Sequence, residues 1–289
     1  IVYLEGVSDG RRLYNAISYA TMKKPVVIFP VGRANLNEFA LSHTGNLVGS
    51  FDLKVAALEQ AGAVVVSSTH ELIYAGSLFS RIRLEPNPNP GVALLTGQAG
   101  PAMIISDYLL THGVSMPQLT EEIVNNISSL LPQMTFIKNP IDTGRPSDTF
   151  SDILQVISND PGIDVIIMFV LHEPTVINPT RILTSVKGAI PQAVVFGTAG
   201  ASELTTPTIN SIRALNIPAF SSPDRTAQAV RILVEDSKAA FRGSSRVKHR
   251  TEPDSLEPIK SEIDEAEAKS ILSAIGIPCP DHEACSTHL

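Results

Sequence analysis

The chain has 289 residues, carries a formal net charge of −7, and is 43% hydrophobic and 18% charged. That length allows two domains of ordinary size whose cores need no disulfide or metal staple. The acidic balance and the absence of Trp argue against a nucleic-acid surface. No apolar run approaches the ~18 residues of a membrane span, and no signal-peptide pattern opens the sequence. The two cysteines, Cys279 and Cys285, offer the body no disulfide framework, so a cytoplasmic location is expected. The first residue, Ile1, already lies inside an apolar run, as expected for a piece of a longer polypeptide.

Ile1 to Val7 reads as a strand. Asp9 to Met22 reads as a helix, with Leu13, Ile17 and Ala20 on one face and Asp9 at the N-terminal cap. Pro25 to Val31 is a second strand, followed by the loop Ser42-His43-Thr44-Gly45-Asn46-Leu47-Val48-Gly49-Ser50. A helix is expected from Asp52 to Ala61, a short strand from Ala63 to Val66, and a helix capped by Thr69 that runs to about Ile82. Strands alternating with helices predict a parallel sheet. Leu84-Glu85-Pro86-Asn87-Pro88-Asn89-Pro90-Gly91 interrupts the pattern and is read as a domain boundary.

The next unit opens with the strand Val92 to Thr96, the turn Gly97-Gln98-Ala99-Gly100-Pro101 and a helix from Ala102 to His112. Phe136 to Asn139 reads as an edge strand that ends in the turn Asn139-Pro140-Ile141-Asp142. Phe150 to Ser158 is a helix, and Val165 to Leu171 is the strongest buried strand of the chain. A helix from Pro179 to Lys187, a strand from Gln192 to Phe196, a helix from Thr208 to Leu215, a short strand from Pro218 to Phe220 and a long helix from Pro223 to Phe241 complete a flavodoxin-type unit. Arg242 to Ile259 is polar, and Ile263 to Ile275 is helical before Pro278-Cys279-Pro280 stops it. The expected domains are residues 1–85 and 86–242, a linker over 243–262, and a final segment over 263–289.

His43 is the leading candidate for chemistry. It sits between small residues ahead of a helix N-terminus, where anions are favoured. A histidine carrying a phosphoryl group needs that setting, although an ordinary glycine-rich turn has the same look. If the first two strands are neighbours, Glu5 and the His43 loop reach the same sheet edge. A carboxylate there would fix the imidazole tautomer and free the other ring nitrogen; a strand-end glutamate facing solvent is the plain reading. The strand–turn–helix at Gln98, Ala99 and Gly100 is an anion-site arrangement common to many α/β folds. His172-Glu173 ends the strongest strand, where α/β sites occur. Cys279, His282, Cys285 and His288 recur at three-residue spacing, but their proline-rich, chain-end setting argues against zinc, and no metal site is assigned. Lys248-His249-Arg250 reads as a solvated linker cluster, and Asn139 to Asp142 as a turn that caps backbone groups.

Taken together, Ile1-Val2-Tyr3-Leu4-Glu5-Gly6-Val7-Ser8-Asp9-Gly10-Arg11, Lys24-Pro25-Val26-Val27, Gly32-Arg33 and Ser42-His43-Thr44-Gly45 resemble, in order and spacing, the nucleoside-diphosphate (NDP)-forming acyl-CoA synthetases, relatives of succinyl-CoA synthetase. The resemblance implies an α/β fold with two flavodoxin-like parallel-sheet domains. It also implies the start of an ATP-grasp domain at Glu265-Ala266-Glu267-Ala268-Lys269 through Gly276-Ile277-Pro278. It makes His43 the phosphohistidine and Glu5 its orienter. Ser42, Thr44, Gly45 and Asn46 would surround the phosphate, and the helix N-terminus at Gln98, Ala99 and Gly100 would face it. Two departures stand out: the family has more glycine near Gln98 and Ala99, and a lysine where this chain has Pro30.

The same resemblance implies CoA and ATP/ADP or GTP/GDP with Mg2+, held mainly by a CoA-binding domain and an ATP-grasp domain outside this chain. An acyl-CoA and a carboxylic acid would be the other reactants, in an oligomeric enzyme. Two alternatives keep the scaffold: an acyl-CoA-binding regulatory region of a protein lysine acyltransferase, and a catalytically silent interaction module. The intact pair of His43 and Glu5 argues against silence.

Overall fold

The computed structural model describes residues 1–33, 50–132, 135–244, 263–274 and 276–280. The chain divides into two compact units, Ile1–Ser245 and Arg246–Leu289. The first unit holds two sheets. In the smaller, β1 (Val2–Leu4), β2 (Val27–Pro30) and β3 (Val64–Val65) lie side by side in that order, all parallel. Pairing of β1 with β2 runs from Val2↔Ile28 to Leu4↔Pro30, so β1 is shorter than its apolar run suggests.

The helices of this part begin where short polar side chains replace missing backbone partners. Asp9 accepts from the Arg12 N–H (2.8 Å) at the start of α1 (Gly10–Thr21). Ser50 accepts from the Leu53 N–H (3.5 Å) at the start of α2 (Phe51–Gln60). Ser68, not the expected Thr69, caps α3 (Thr69–Phe79), accepting from the Glu71 N–H (3.2 Å). Ser68 has the extended backbone a cap requires, and Thr69 is already helical.

The larger sheet is built from β4 (Val92–Thr96), β5 (Phe136–Ile137), β6 (Ile141–Asp142), β7 (Val165–Leu171), β8 (Ala193–Ala199) and β9 (Ala219–Phe220). Its order is β5-β6-β4-β7-β8-β9, parallel except for the β5–β6 pair. Without the antiparallel edge strand this is the flavodoxin order. Side chains of β7 alternate between two cores. Val165, Ile167 and Phe169 face α4 (Ala99–Thr111) and α9 (Pro223–Ser244); Ile166, Met168 and Val170 face α5 (Glu121–Leu130), α6 (Phe150–Ile157), α7 (Pro179–Val186) and α8 (Ser202–Ala214). A strand covered on both faces reads as one continuous apolar run.

Three features depart from the sequence reading. Helix α5 was not anticipated, because only Ile123 and Ile127 of its ten residues are buried. Strand β6 falls where a turn was expected; Asn139 does cap backbone groups, accepting from the Leu94 N–H (3.1 Å) and donating to the carbonyls of Val92 (2.6 Å) and Pro117 (2.9 Å). Helix α8 begins at Ser202 rather than Thr208 and continues through Pro207. Its first turns bury only Thr205, so they carry no apolar period, and a proline reads as a stop.

The two sheets share a core. One apolar cluster runs from Val27, Val64 and Val66, through Leu72, Ala75 and Leu78 of α3, to Val92, Leu94 and Phe169, with α9 contributing Val230 and Leu233. The stretch from Leu84 to Gly91 carries the chain from one sheet to the other and is tied to α9. The Ser237 hydroxyl donates to the Glu85 carbonyl (2.6 Å) and accepts from the Asn87 N–H (3.1 Å), while Arg83 pairs with Asp236 (2.7 Å). In the second unit, α10 (Glu265–Ala274) buries none of its residues.

Candidate functional site

Glu5 and Val31 follow adjacent parallel strands, so both chains leave the sheet at one edge, and the Val31 N–H still reaches the Leu4 carbonyl (2.9 Å). His43, with Ser42, Thr44, Gly45 and Asn46, lies outside the described residues. The flanks of that segment are described and lie close together: the Arg33 guanidinium sits over the Phe51 ring, 5.3 Å from its centroid. Gly32 turns the chain out of β2 with φ 97°, a conformation that favours glycine.

The Glu5 carboxylate is exposed and makes no hydrogen bond or ion pair with the described residues. Beside it is a cavity of about 330 Å³ lined by Glu5, Gly6, Tyr14, Ser50, Leu53 and Lys54. The Lys54 ammonium donates to the carbonyls of Val31 (3.2 Å) and Glu5 (3.4 Å). Burial holds this amine below its ordinary value. Nothing in the sequence marks Lys54, which is a lysine in the first turns of an unremarkable helix until the fold carries it to the ends of β1 and β2.

A second cavity, of about 810 Å³, is lined by Arg33, Phe51, Glu71, Tyr108, His112 and Arg231 among others. Glu71 is buried, accepts from the Ser67 N–H (2.7 Å) and hydroxyl (2.9 Å), and pairs with Arg231 (3.1 Å). Burial raises the Tyr108 phenol above its ordinary value, and the Glu71 charge adds to this while Arg231 opposes it. The Tyr108 ring stacks on His112 at 4.1 Å. Both belong to the C-terminal end of α4.

Gln98, Ala99 and Gly100 sit at the other end of α4 and line neither cavity. The helix begins at Ala99, ahead of the expected Ala102. Gln98 makes no cap bond. Its side-chain oxygen accepts from the Leu171 N–H (3.4 Å), and its amide donates to Glu173 (3.4 Å). The turn thus lies between the ends of β4 and β7, where the strand order reverses and α/β sheets bind ligands. Ala99 and Gly100 are exposed, and a Cβ on Gly100 would meet nothing. The crowded glycine is Gly97, where a Cβ would overlap the backbone nitrogen of Pro146.

Residues 1–79 match the family model of the succinyl-CoA ligase-like flavodoxin domain. ADP-forming acetate–CoA ligase I of Archaeoglobus fulgidus is 28% identical over 96% of this chain and 40% of its own length. The alpha subunit of ADP-forming acetate–CoA ligase II of Pyrococcus furiosus is 28% identical over 82% of this chain and 53% of its own. Over most of its length the chain is thus similar to NDP-forming acyl-CoA synthetases, and the matches support that superfamily. Its fold agrees: the structure of a dinucleotide-forming acetyl-coenzyme A synthetase 1 from Ca. Korarchaeum cryptofilum, in complex with phosphate and ADP, superposes with a TM-score of 0.75 at 21% identity, over 86% of this chain and 56% of that one. The chain spans about half the length of these relatives.

His172 and Glu173, at the end of β7, are further sequence candidates. Glu173 is engaged by Gln98, and the His172 N–H by the Ala199 carbonyl (3.0 Å), beside a cavity of about 720 Å³ between the ends of β7 and β8. His282, Cys285, His288 and the Lys248 cluster lie outside the described residues; Cys279 is a free thiol. Among the described residues no group of three metal-ligating side chains occurs, and no helix is long and apolar enough to cross a membrane.

Proposed function

We propose that this chain is the central part of an NDP-forming acyl-CoA synthetase, with His43 carrying a phosphoryl group between an acyl phosphate and ADP or GDP. One observation carries the reading: Glu5, with its carboxylate unengaged among the described residues, leaves the same sheet edge as the segment that holds His43. The neutral imidazole is a competent nucleophile near neutral pH. The Glu5 carboxylate would accept the N–H of one ring nitrogen and leave the lone pair of the other free. That nitrogen attacks phosphorus; an N–P bond forms, the P–O bond to the acyl group breaks, and the carboxylate leaves with the electron pair. A terminal phosphate oxygen of ADP then attacks the same phosphorus, and the imidazole is restored.

CoA, the nucleotide and Mg2+ would be held mainly by CoA-binding and ATP-grasp domains, in the same polypeptide or a partner subunit. Ser42, Thr44, Gly45 and Asn46 would surround the phosphate. The backbone N–H groups of the exposed residues Ala99 and Gly100, with the α4 dipole, would receive it at the other station. The fit of the relatives named as acetate–CoA ligases supports a small carboxylic acid as substrate.

The test is phosphohistidine formation. The chain, joined by its CoA-binding and ATP-grasp partners, is incubated with γ-labelled ATP and Mg2+. An acid-labile, base-stable label is expected at His43 and should vanish in His43→Ala. An unlabelled wild type with active partner domains would favour the silent module.

A further inference from the structure

Strand pairing at the proposed site stops one residue too early to hold Glu5. The β1–β2 register ends at Leu4↔Pro30, and Pro30 brings no N–H to this end of the sheet. The first carbonyls beyond the paired region are those of Glu5 and Val31. Both are taken by one group, the Lys54 ammonium, at 3.4 and 3.2 Å. Val31 leads through Gly32 and Arg33 into the segment that carries His43, so the ammonium spans the departure points of both proposed reacting groups. Lys54 forms no ion pair with a described residue, and it lines the cavity beside Glu5. An ammonium has three donors and no acceptor; two are used on carbonyls, and one remains.

We propose that Lys54 is a positioning residue: its ammonium fixes the backbone of Glu5 against Val31, and so sets the orienting carboxylate for His43. This inference rests on the phosphohistidine reading. The lysine reaches the sheet edge because α2 is capped at Ser50 and begins at Phe51, which places Lys54 about one turn after the cap. The position is half-buried and costs the cation solvation.

The experiment uses the chain with its CoA-binding and ATP-grasp partners and measures the rate of labelling at His43 against ATP concentration. Lys54→Met keeps the aliphatic stem and removes the donors; Lys54→Arg restores cation and donors. The Met variant should label roughly ten-fold more slowly at saturating ATP, with an unchanged KM for ATP and no fall in melting temperature. The Arg variant should recover most of the rate. Labelling of Lys54→Met at the wild-type rate overturns the proposal. So does a loss that tracks a lowered melting temperature, or one that Lys54→Arg does not relieve. A wild type that never labels at His43 removes the phosphohistidine reading itself, and the role of Lys54 with it; a labelled wild type beside an equally fast Met variant removes only Lys54.

Discussion

Lys54 retains a charge in a setting that opposes it, and the sign of that opposition can be measured. Its folded value lies below the ordinary 10.5. Between the two values the unfolded chain binds more protons, so stability rises with pH across the window just below 10.5. Tyr108 acts in the opposite sense: its folded value is raised, so its contribution is complete below about 10 and is lost as pH climbs through the folded value. Melting temperatures of wild type and Lys54→Met, compared from neutral to alkaline pH, should converge as pH rises, with the Met variant equal or higher at neutrality. Divergence in the other direction would mean that the carbonyl bonds outweigh the burial of charge. A different residue pair gives a larger effect. Arg231→Met would leave the buried Glu71 carboxylate without its cation, held by Ser67, and a loss of about 3–5 kcal/mol is expected in denaturant titration. A change under 1 kcal/mol would show that water reaches Glu71 through the neighbouring cavity.

At the scale of elements, the two glycines that bracket the start of α4 should behave oppositely. Gly97→Ala forces a methyl into the backbone of Pro146, and a cost of about 3 kcal/mol is expected. Gly100→Ala enters open space inside a helix, where alanine is favoured by about 0.5–1 kcal/mol. Thermal melts of both variants check the pair; a destabilised Gly100→Ala would contradict the described surroundings of that turn. This contrast also shows what can be read from residues alone. The strand–turn–helix at 92–111 is visible in sequence because β4 is apolar throughout and the turn is glycine-rich. Which glycine is sterically required is not visible, since Pro146 comes from the far end of the β6 connection. Asp9 and Ser50 are local caps; Asp9 was legible. By contrast, α5 buries two side chains, and α8 opens on polar residues and a proline, so neither has a local period strong enough to find. Glu5 was reachable by reasoning from neighbouring strands. Lys54 was not, because its role exists only once α2 is laid across the ends of β1 and β2.

The whole first unit turns on α9. This helix of 22 residues packs its Val230 and Leu233 into the cluster that holds Val27 and Val64 of one sheet and Val92 and Phe169 of the other. The connection between the sheets is pinned to the same helix by Arg83–Asp236 and by Ser237. Neither sheet can therefore lose α9 without exposing apolar surface of the other, and at about 25 cal/mol per Å2 that exposure is large compared with the few kcal/mol by which domains are stable. Residues 1–245 should unfold in one calorimetric transition, with calorimetric and van't Hoff enthalpies in agreement. Asp236→Ala, which removes the partner of Arg83 but leaves the apolar contacts, should lower that single transition by a few degrees without dividing it. Two resolved transitions in wild type would mean that the shared cluster is weaker than either core. Glu5 and the α4 N-terminus would then belong to parts that can move independently. One transition instead places Glu5 and the α4 N-terminus on a single cooperative frame.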